Sequence, residues 1–171
     1  MTDENRIDEL IADLREGEMA VRRAATDELG ESGEAAIAPL IDVMFESDND
    51  VRWYAARALV RIGEPSVEPL LQAMHARENQ NFRRYAMAAL AGIGAPAVES
   101  LIGIIEEGDP DLRPFAAMAI CKIGEPAVDS LLRMMQHPDP AMQECATLLL
   151  WKMGEPGAAE ALTEALETGK P

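Results

Sequence analysis

The chain has 171 residues, of which 48% are hydrophobic but only 4% aromatic, and its formal net charge at pH 7 is -16. A core built from Ala, Leu, Ile, Val and Met favours helices over strands. The longest weakly polar run, residues 85–98, contains Gly and Pro and is too short to span a bilayer. The N-terminal sequence MTDENRIDEL is polar and acidic, unlike a signal peptide. We therefore expect a cytoplasmic protein whose two cysteines, Cys121 and Cys145, are reduced thiols.

A Gly-x-Pro tripeptide recurs along the chain at a nearly constant spacing. It starts at Gly63, Gly94, Gly124 and Gly154, with a degenerate copy at Gly33, so that the steps are 30, 31, 30 and 30 residues. Self-similarity at such a period is typical of solenoid proteins. Gly commonly ends one helix and Pro commonly begins the next. Each repeat is therefore predicted to contain two helices.

The predicted elements are five helix pairs followed by a single helix. The pairs span residues 4–31, 34–62, 65–92, 96–122 and 126–153, and the last helix spans 156–168. Because a single pair cannot bury its apolar stripe alone, whereas stacked neighbours can, we predict one all-α domain, a right-handed α-solenoid. The polar last helix is predicted to cap its C-terminal end. A compact all-α bundle is the alternative that the period disfavours.

The second helix of each pair is predicted to begin at an N-cap four residues before a recurring arginine. Asp48, Asn79 and Asp109 occupy this position, and Asp and Asn are good N-caps. Pro110 and Pro140 then fall at the first helical position of their helices.

Two further patterns return in the repeats. One is a helix with an early Pro, as in VEPLL at 67–71, and the other is D-x-x-x-R-x-x-A-A-x-A-L in the second helix. On these residues, the chain resembles the HEAT repeat family, and within it the short repeats of phycobilisome-lyase-like proteins. The resemblance implies that the Pro-containing helices line a convex side and the second helices a concave side. It also implies a structural ladder of stacked arginines paired with the Asp of the neighbouring turn. The ladder arginines are Arg22, Arg52, Arg83 and Arg113, and the ladder is expected to end where the fifth repeat has Gln143.

Helical periodicity divides each second helix into two faces. Counted from the ladder residue as zero, at about 100° per residue, positions -1, +3, +6, +7 and +10 share one arc. We predict that this arc forms the core. In repeats two and four it comprises Val51, Ala55, Ala58, Leu59 and Ile62, and Leu112, Ala116, Ala119, Ile120 and Ile123. The opposite arc, with positions +1, +2, +5, +8 and +9, is predicted to face outward.

This outward arc is aromatic and cationic. The second helices hold ten of the 15 Lys and Arg residues but only six of the 31 Asp and Glu residues. An exposed aromatic–arginine cluster has the composition of a protein-binding hot spot. The candidate partner-binding residues are Trp53, Tyr54, Arg57, Arg61, Arg84, Tyr85, Phe115, Met118, Lys122, Trp151 and Lys152. In the alternative interpretation, the aromatics at position +2 (Tyr54, Tyr85 and Phe115) simply fill gaps between neighbouring helices.

Motifs for catalysis or cofactor binding are not found in the sequence. There is no H-E-x-x-H and no phosphate-binding loop. Neither His75 nor His137 is followed by Glu, so the His-Glu iron ligands of HEAT-family hydroxylases are missing, and we expect both histidines to be solvated. Cys121 and Cys145 are predicted to lie two turns apart on adjacent helices, out of reach of each other. Glu144 lies near an aromatic on the outward arc, but without a pocket it does not indicate acid–base chemistry. The sequence therefore predicts no enzyme activity, no metal and no cofactor.

Three functions remain open at this stage. The leading hypothesis is a monomeric scaffold or adaptor that binds an acidic protein segment with apolar anchors and makes no contact with membranes. Nucleic-acid binding is the second, because an aromatic and cationic face suits base stacking and phosphate contact. Against it, the residues outside the second helices comprise 5 basic and 25 acidic side chains, and the pI is near 4.4. The third, a non-catalytic or lyase-like subunit of an enzyme complex, comes from the resemblance alone.

Overall fold

The computed structural model describes residues 3–154, with side chains from Asn5 onward, and all regular structure in that range is helical. The helices, in chain order, are α1 (Asp3–Glu16), α2 (Met19–Glu31), α3 (Ile37–Glu46), α4 (Asn49–Ile62), α5 (Val67–Ala76), α6 (Gln80–Ile93), α7 (Val98–Glu107), α8 (Arg113–Ile123), α9 (Val128–Met134) and α10 (Pro140–Met153). They form five consecutive pairs whose limits agree closely with the predicted repeats. The predicted cap helix, residues 156–168, lies outside the described residues.

The Gly-x-Pro tripeptide turns the chain between consecutive pairs. Gly63 ends α4 with φ 83° and ψ -140°, a conformation that costs little only for glycine. A short 3-10 turn follows, so that Pro65 lies in this turn and not in the first α-helical turn of α5. The Ser66 hydroxyl donates a hydrogen bond of 3.1 Å to the carbonyl of Leu59, which also accepts the backbone N–H of Gly63 at the end of α4. The same glycine conformation and 3-10 turn follow α6 and α8.

Most second helices begin at the predicted cap. The side chains of Asp48, Asn79 and Asp139 each accept a backbone N–H from the first turn of their helix, at 2.9 or 3.0 Å. Pro140 is the first residue of α10, as predicted.

The start of α8 was predicted wrongly. Asp109 accepts two backbone N–H groups, at 2.8 and 3.3 Å, but these belong to a turn, and the α-helix begins only at Arg113. Pro114 explains the delay, because proline is tolerated in the first turn of a helix but removes a hydrogen bond further in. A helix that began at Pro110 would place Pro114 beyond its first turn.

The described residues divide into two compact units, and each is described by itself. In the N-terminal unit, residues 3–96, the second helices α2, α4 and α6 pack side by side in chain order, and so do the first helices α1, α3 and α5. In the C-terminal unit, residues 97–154, α8 packs on α10 and α7 on α9. Each unit therefore has two helical layers with its core between them. The single domain over residues 1–171 stays a prediction.

The predicted core arc is confirmed in both units. Its first four positions in α4 and around α8 are buried, and the last position, Ile62 or Ile123, is half-buried. The core of both units therefore follows the helical periodicity of the sequence.

Candidate protein-binding surface

The ladder arginine of α4 ties this helix to the end of α3. Arg52 donates hydrogen bonds from Nε to the carbonyl of Met44 (3.0 Å), from Nη2 to the carbonyl of Phe45 (3.2 Å) and from Nη1 to Asn49 Oδ1 (3.3 Å). Cations are stabilising at helix C-termini, where carbonyls lack partners within the helix. The buried guanidinium therefore caps α3 and stabilises the pair.

The other ladder arginines make the corresponding contact within their own pairs. Arg22, Arg83 and Arg113 donate to the carbonyls of Arg15, Met74 and Ile105, respectively, at 2.9, 3.3 and 3.1 Å. Arg113 also contacts the Met142 sulfur at 3.9 Å. For Arg52 and Arg113, the acceptors are thus not the Asp of a neighbouring turn that the resemblance implied.

In the fifth repeat, Gln143 stands where the other second helices have the ladder arginine. Gln143 Nε2 donates at 2.7 Å to the carbonyl of His137, which lies in the loop after α9 and not in the helix itself. His137 is also more than a solvated side chain, because its Nδ1 accepts the backbone N–H of Asp139 at 3.0 Å. The fifth pair is therefore joined by an amide contact to the loop between its helices, and not by a guanidinium at the end of the first helix.

The predicted outward arc contains two kinds of position. Side chains at +1, +5 and +9 are exposed, among them Trp53 (44% exposed), Arg57 and Arg61. Position +2 is less exposed in α4, α6, α8 and α10. Tyr54 is buried (9% exposed), so its predicted outward placement was wrong, and Tyr85 is half-buried. For Tyr54 the gap-filling interpretation therefore describes the packing better.

Trp53 is the centre of a small cluster on α4. The guanidinium carbon of Arg57 lies 4.8 Å from the centroid of the Trp53 ring, and the Tyr54 ring meets that of Trp53 edge to face at 4.9 Å. Such cation–π contacts contribute about 0.5–1 kcal/mol at exposed sites. Trp53 is thereby held in place while nearly half of its surface stays open to solvent.

A similar contact occurs on α6, where the guanidinium of Arg84 lies 5.7 Å from the Tyr85 ring centroid. Arg23 is exposed on α2. Within residues 3–154, no carboxylate forms an ion pair with Arg23, Arg57 or Arg84, although the chain contains 31 Asp and Glu residues. The N-terminal unit thus presents three arginines whose N–H groups are available to a ligand.

Arg61 differs from these three arginines. Its guanidinium donates to Asp27 Oδ1 and to Glu31 Oε1, each at 3.0 Å, and so links α4 to α2. Its aliphatic stem lies over Gly30, where an added Cβ would be 2.6 Å from Arg61 Cδ. Arg61 was predicted to bind a partner, but its charge is already paired within the chain.

A pocket of about 200 Å³ lies between α2 and α4. Its walls are formed by Arg23, Thr26 and Asp27 from α2 and by Tyr54 and Arg57 from α4. The sequence analysis did not predict this pocket, because Arg23, Thr26 and Asp27 precede the aromatic helix by one repeat. Tyr54 is buried and does not face outward, and it therefore forms part of the pocket wall.

The second helices of the C-terminal unit expose a different set of side chains. Met118 on α8 and Leu148 and Trp151 on α10 are 53%, 58% and 80% exposed, and Phe115 is half-buried. Leu148 was not among the predicted residues, although it occupies the same position +5 as Met118. Lys122 and Lys152 are exposed at position +9. This face is more apolar than that of the N-terminal unit.

The titratable groups of this face do not point to catalysis. Burial raises the pKa of the thiols of Cys121 and Cys145, both of which are free, and the charge of Lys152 offsets this in part for Cys121. Glu144 is exposed on α10. No cluster of three or more His, Cys, Asp and Glu side chains in residues 3–154 is arranged to hold a metal ion.

A comparison with models of protein families identifies the family of the chain. A model of HEAT repeats matches residues 7–91, 67–136 and 98–171, which together span nearly the whole chain. The chain belongs to the HEAT repeat family. The finer resemblance to the lyase-like short repeats stays a prediction. No curated protein matches the chain.

Several solved structures resemble this HEAT repeat chain. An engineered protein from a structural genomics consortium is 19% identical (96% of this chain, 85% of that chain, TM-score 0.39). A designed armadillo repeat protein is 16% identical (91% and 90%, TM-score 0.36). Another designed armadillo repeat protein, in complex with peptide (KR)4, is 15% identical (94% and 84%, TM-score 0.32). These similarities are low, so the family assignment rests on the repeat match.

The HEAT repeats also form a groove on the first helices, which the sequence analysis did not predict. A groove of about 700 Å³ lies between α3 and α5, with Ile37, Ile41 and Pro69 among its lining residues. At its edge Arg77 pairs with Asp42. Among the described helices, none is both long and apolar enough to cross a bilayer.

Proposed function

We propose that this HEAT repeat chain is a non-catalytic protein-binding scaffold. In this proposal, the second-helix face of the N-terminal unit binds an acidic partner segment that carries apolar anchors. One observation carries the proposal: exposed Arg23, Arg57 and Arg84 lack a carboxylate partner among the described residues and lie on the helices that flank or carry Trp53.

The charge of the chain makes this observation informative. In a chain of net charge -16, arginines on the surface have many carboxylates with which they could pair, and Arg61 has two such partners. The N–H groups of Arg57 and Arg84, each lying over an aromatic ring, remain free to bind carboxylates in bidentate geometry. Exposed Trp53 supplies the aromatic surface that is enriched at binding hot spots.

The C-terminal unit extends the proposal. Met118 and Trp151 are exposed apolar side chains that an anchor residue of a partner could cover, and Lys122 and Lys152 add positive charge beside them. Phe115 contributes through its exposed part. We propose that this second face makes mainly apolar contacts.

The proposal further takes the chain to act as a monomer in the cytoplasm. The half-buried free thiols suit a reducing compartment. Light scattering after size exclusion would measure the oligomeric state, and a dimer at micromolar concentration would contradict the monomer.

The test is the capture of partners by the full-length chain from a nuclease-treated native lysate, followed by measurement of the affinity of each retained protein. The variant Trp53→Ala/Arg84→Glu removes the anchor and reverses one free cation. Arg15→Glu is the matched control, because it reverses a charge on a first helix. We expect a partner that binds wild type and Arg15→Glu equally and the double variant at least ~100-fold more weakly. Partners that bind all three proteins equally would contradict the proposal, provided that circular dichroism shows folded variants.

A further inference from the structure

We propose that the pocket between α2 and α4 is a carboxylate-binding subsite. It would accept one carboxylate of the partner, from an Asp or Glu side chain or from a chain terminus. As a statement about the partner, this inference rests on the proposed function. The pocket volume of about 200 Å³ is several times the ~30 Å³ that one water molecule occupies in the liquid, so a carboxylate and its adjoining methylene groups fit.

The donors in the pocket come from both helices. Arg23 on α2 and Arg57 on α4 line it, and neither guanidinium has a carboxylate partner among the described residues. Arg57 is restrained by its contact with Trp53, which reduces the side-chain entropy lost on binding. The Tyr54 hydroxyl has no hydrogen-bond partner within residues 3–154 and can donate a third hydrogen bond.

The acidic residue in the pocket wall already has an ion-pair partner. Asp27 Oδ1 accepts a hydrogen bond from Arg61, a residue that does not line the pocket. Because Asp27 has this partner, it does not compete for Arg23 or Arg57. Thr26 likewise donates its hydroxyl proton to the carbonyl of Arg22, at 2.7 Å. The two arginines therefore leave the pocket with an excess of positive charge.

The charge balance favours a carboxylate over a phosphate. Glu31 shares Arg61 with Asp27, so two carboxylates on α2 are balanced by one guanidinium. Arg23 and Arg57 add two positive charges to the net charge of -1 that Arg61 leaves on these two carboxylates. A monoanion balances the resulting charge of +1, whereas a dianionic phosphate exceeds it. A planar carboxylate also matches the fork geometry of a guanidinium. The net charge of -16 would further disfavour a polyanion such as nucleic acid.

The experiment is an NMR titration of the full-length, nitrogen-labelled chain that follows the Nε–H resonances of its arginines. Acetyl-Glu-amide offers only a side-chain carboxylate, acetyl-Leu offers only a terminal one, and acetyl-Gln-amide is the neutral control. We expect saturable shifts at Arg23 and Arg57 with one or both acids, and none at Arg15, which is already paired with Glu46. Which acid binds more tightly identifies the source of the carboxylate. Arg23→Gln should weaken binding ~10-fold, and Tyr54→Phe a few-fold.

Three results would overturn the subsite. They are shifts that do not saturate, shifts of equal size at Arg15, and binding of inorganic phosphate ~10-fold tighter than either acid, which would indicate a phosphate site. Failure of the subsite can be told apart from failure of the proposed function. A partner that binds Arg23→Gln as tightly as wild type, but not Trp53→Ala/Arg84→Glu, would remove the subsite and leave the binding surface in place.

Discussion

The second helices of the two units expose different kinds of side chain at corresponding positions. In the N-terminal unit, positions +1 and +5 hold Trp53, Arg57 and Arg84, whereas position +5 in the C-terminal unit holds Met118 and Leu148. In both units these positions are exposed for the same reason, which is their angular distance from the core arc. The repeat thus determines where a side chain is presented, and the residue at that position determines what it can bind.

The two units also differ in the space around a helical glycine. In the N-terminal unit, α4 and α6 approach closely at Gly92, where an added Cβ would lie 2.7 Å from Val60 Cγ2. In the C-terminal unit, Gly103 of α7 has no atom within 4 Å of an added Cβ. The glycine of the N-terminal unit therefore serves packing, because it lets α6 approach Val60 of α4.

The largest expected effect concerns binding through the two faces. Arg57→Glu and Lys122→Glu make the same charge change on an N-terminal and a C-terminal second helix. We expect Arg57→Glu to weaken binding of an acidic partner at least ~100-fold, because Arg57 lines a pocket and adjoins Trp53. Lys122→Glu should cost less than ~10-fold, since an exposed single charge is screened by solvent. Titration calorimetry with the captured partner measures both, and equal losses would remove the distinction between the faces.

The contacts of Arg52 and Gln143 should contribute differently to the free energy of unfolding. Arg52→Ala removes three hydrogen bonds of a buried guanidinium and is expected to lower the free energy of unfolding by about 3 kcal/mol. Gln143→Ala removes one neutral hydrogen bond, and the expected loss is about 1 kcal/mol. Urea unfolding compares the two, with Arg52→Met as the control that retains the apolar stem. A loss for Arg52→Met well below that for Arg52→Ala would show that packing dominates over capping.

Substituting alanine for the two glycines should change the free energy of unfolding in opposite directions. Gly92→Ala forces Val60 to move and is expected to destabilise the chain by about 1–2 kcal/mol. Gly103→Ala meets open space in the middle of α7 and should stabilise it by up to about 1 kcal/mol, because alanine has the higher helix propensity. The second substitution Val60→Ala should recover part of the loss in Gly92→Ala. Thermal unfolding measures these differences, and a neutral Gly92→Ala would mean that the helices move apart without cost.

The smallest expected effect concerns the thiols of the C-terminal unit. Because burial raises the pKa of Cys121 and Cys145, less thiolate is present near pH 8 than in the unfolded chain. Alkylation by iodoacetamide should therefore be slower in the native chain than in guanidinium, with the native rate still rising at higher pH. A raised pKa also makes the stability depend on pH. The contribution of the buried neutral thiols to the free energy of unfolding is fully present below the unfolded pKa and is lost as the pH rises through the native pKa. Equal native and unfolded rates would contradict the burial of these thiols.

Much of the fold was predictable because its signals are local. The Gly-x-Pro spacing located the helix pairs, and the periodicity around Arg52 identified the core residues of α4 correctly. The late start of α8 differs from the prediction, because Pro114 disfavours a helix that begins at the Asp109 cap. Both the Asp109 cap and Pro114 are visible in the sequence, and the helix start depends on which of them has the stronger effect.

The candidate site was predictable only in part. The exposure of Trp53 and Arg57 followed from their angular position on one helix. The burial of Tyr54 and the pairing of Arg61 with Asp27 depend on a helix one repeat earlier in the chain. The periodicity of α4 alone therefore predicts neither the burial of Tyr54 nor the pairing of Arg61.

The sequence by itself therefore determined the HEAT repeats, the limits of the helix pairs, the core arc and the cationic and aromatic character of the second helices. These properties depend on spacings within one repeat and on backbone preferences of Gly and Pro. Only the tertiary structure decided which arginines are already paired, that Gly30 and Gly92 lie under close helix contacts, and that Arg23, Tyr54 and Arg57 line one pocket. The physical reason is that these properties depend on the distance between neighbouring helices, which is set by the packing of side chains from different repeats.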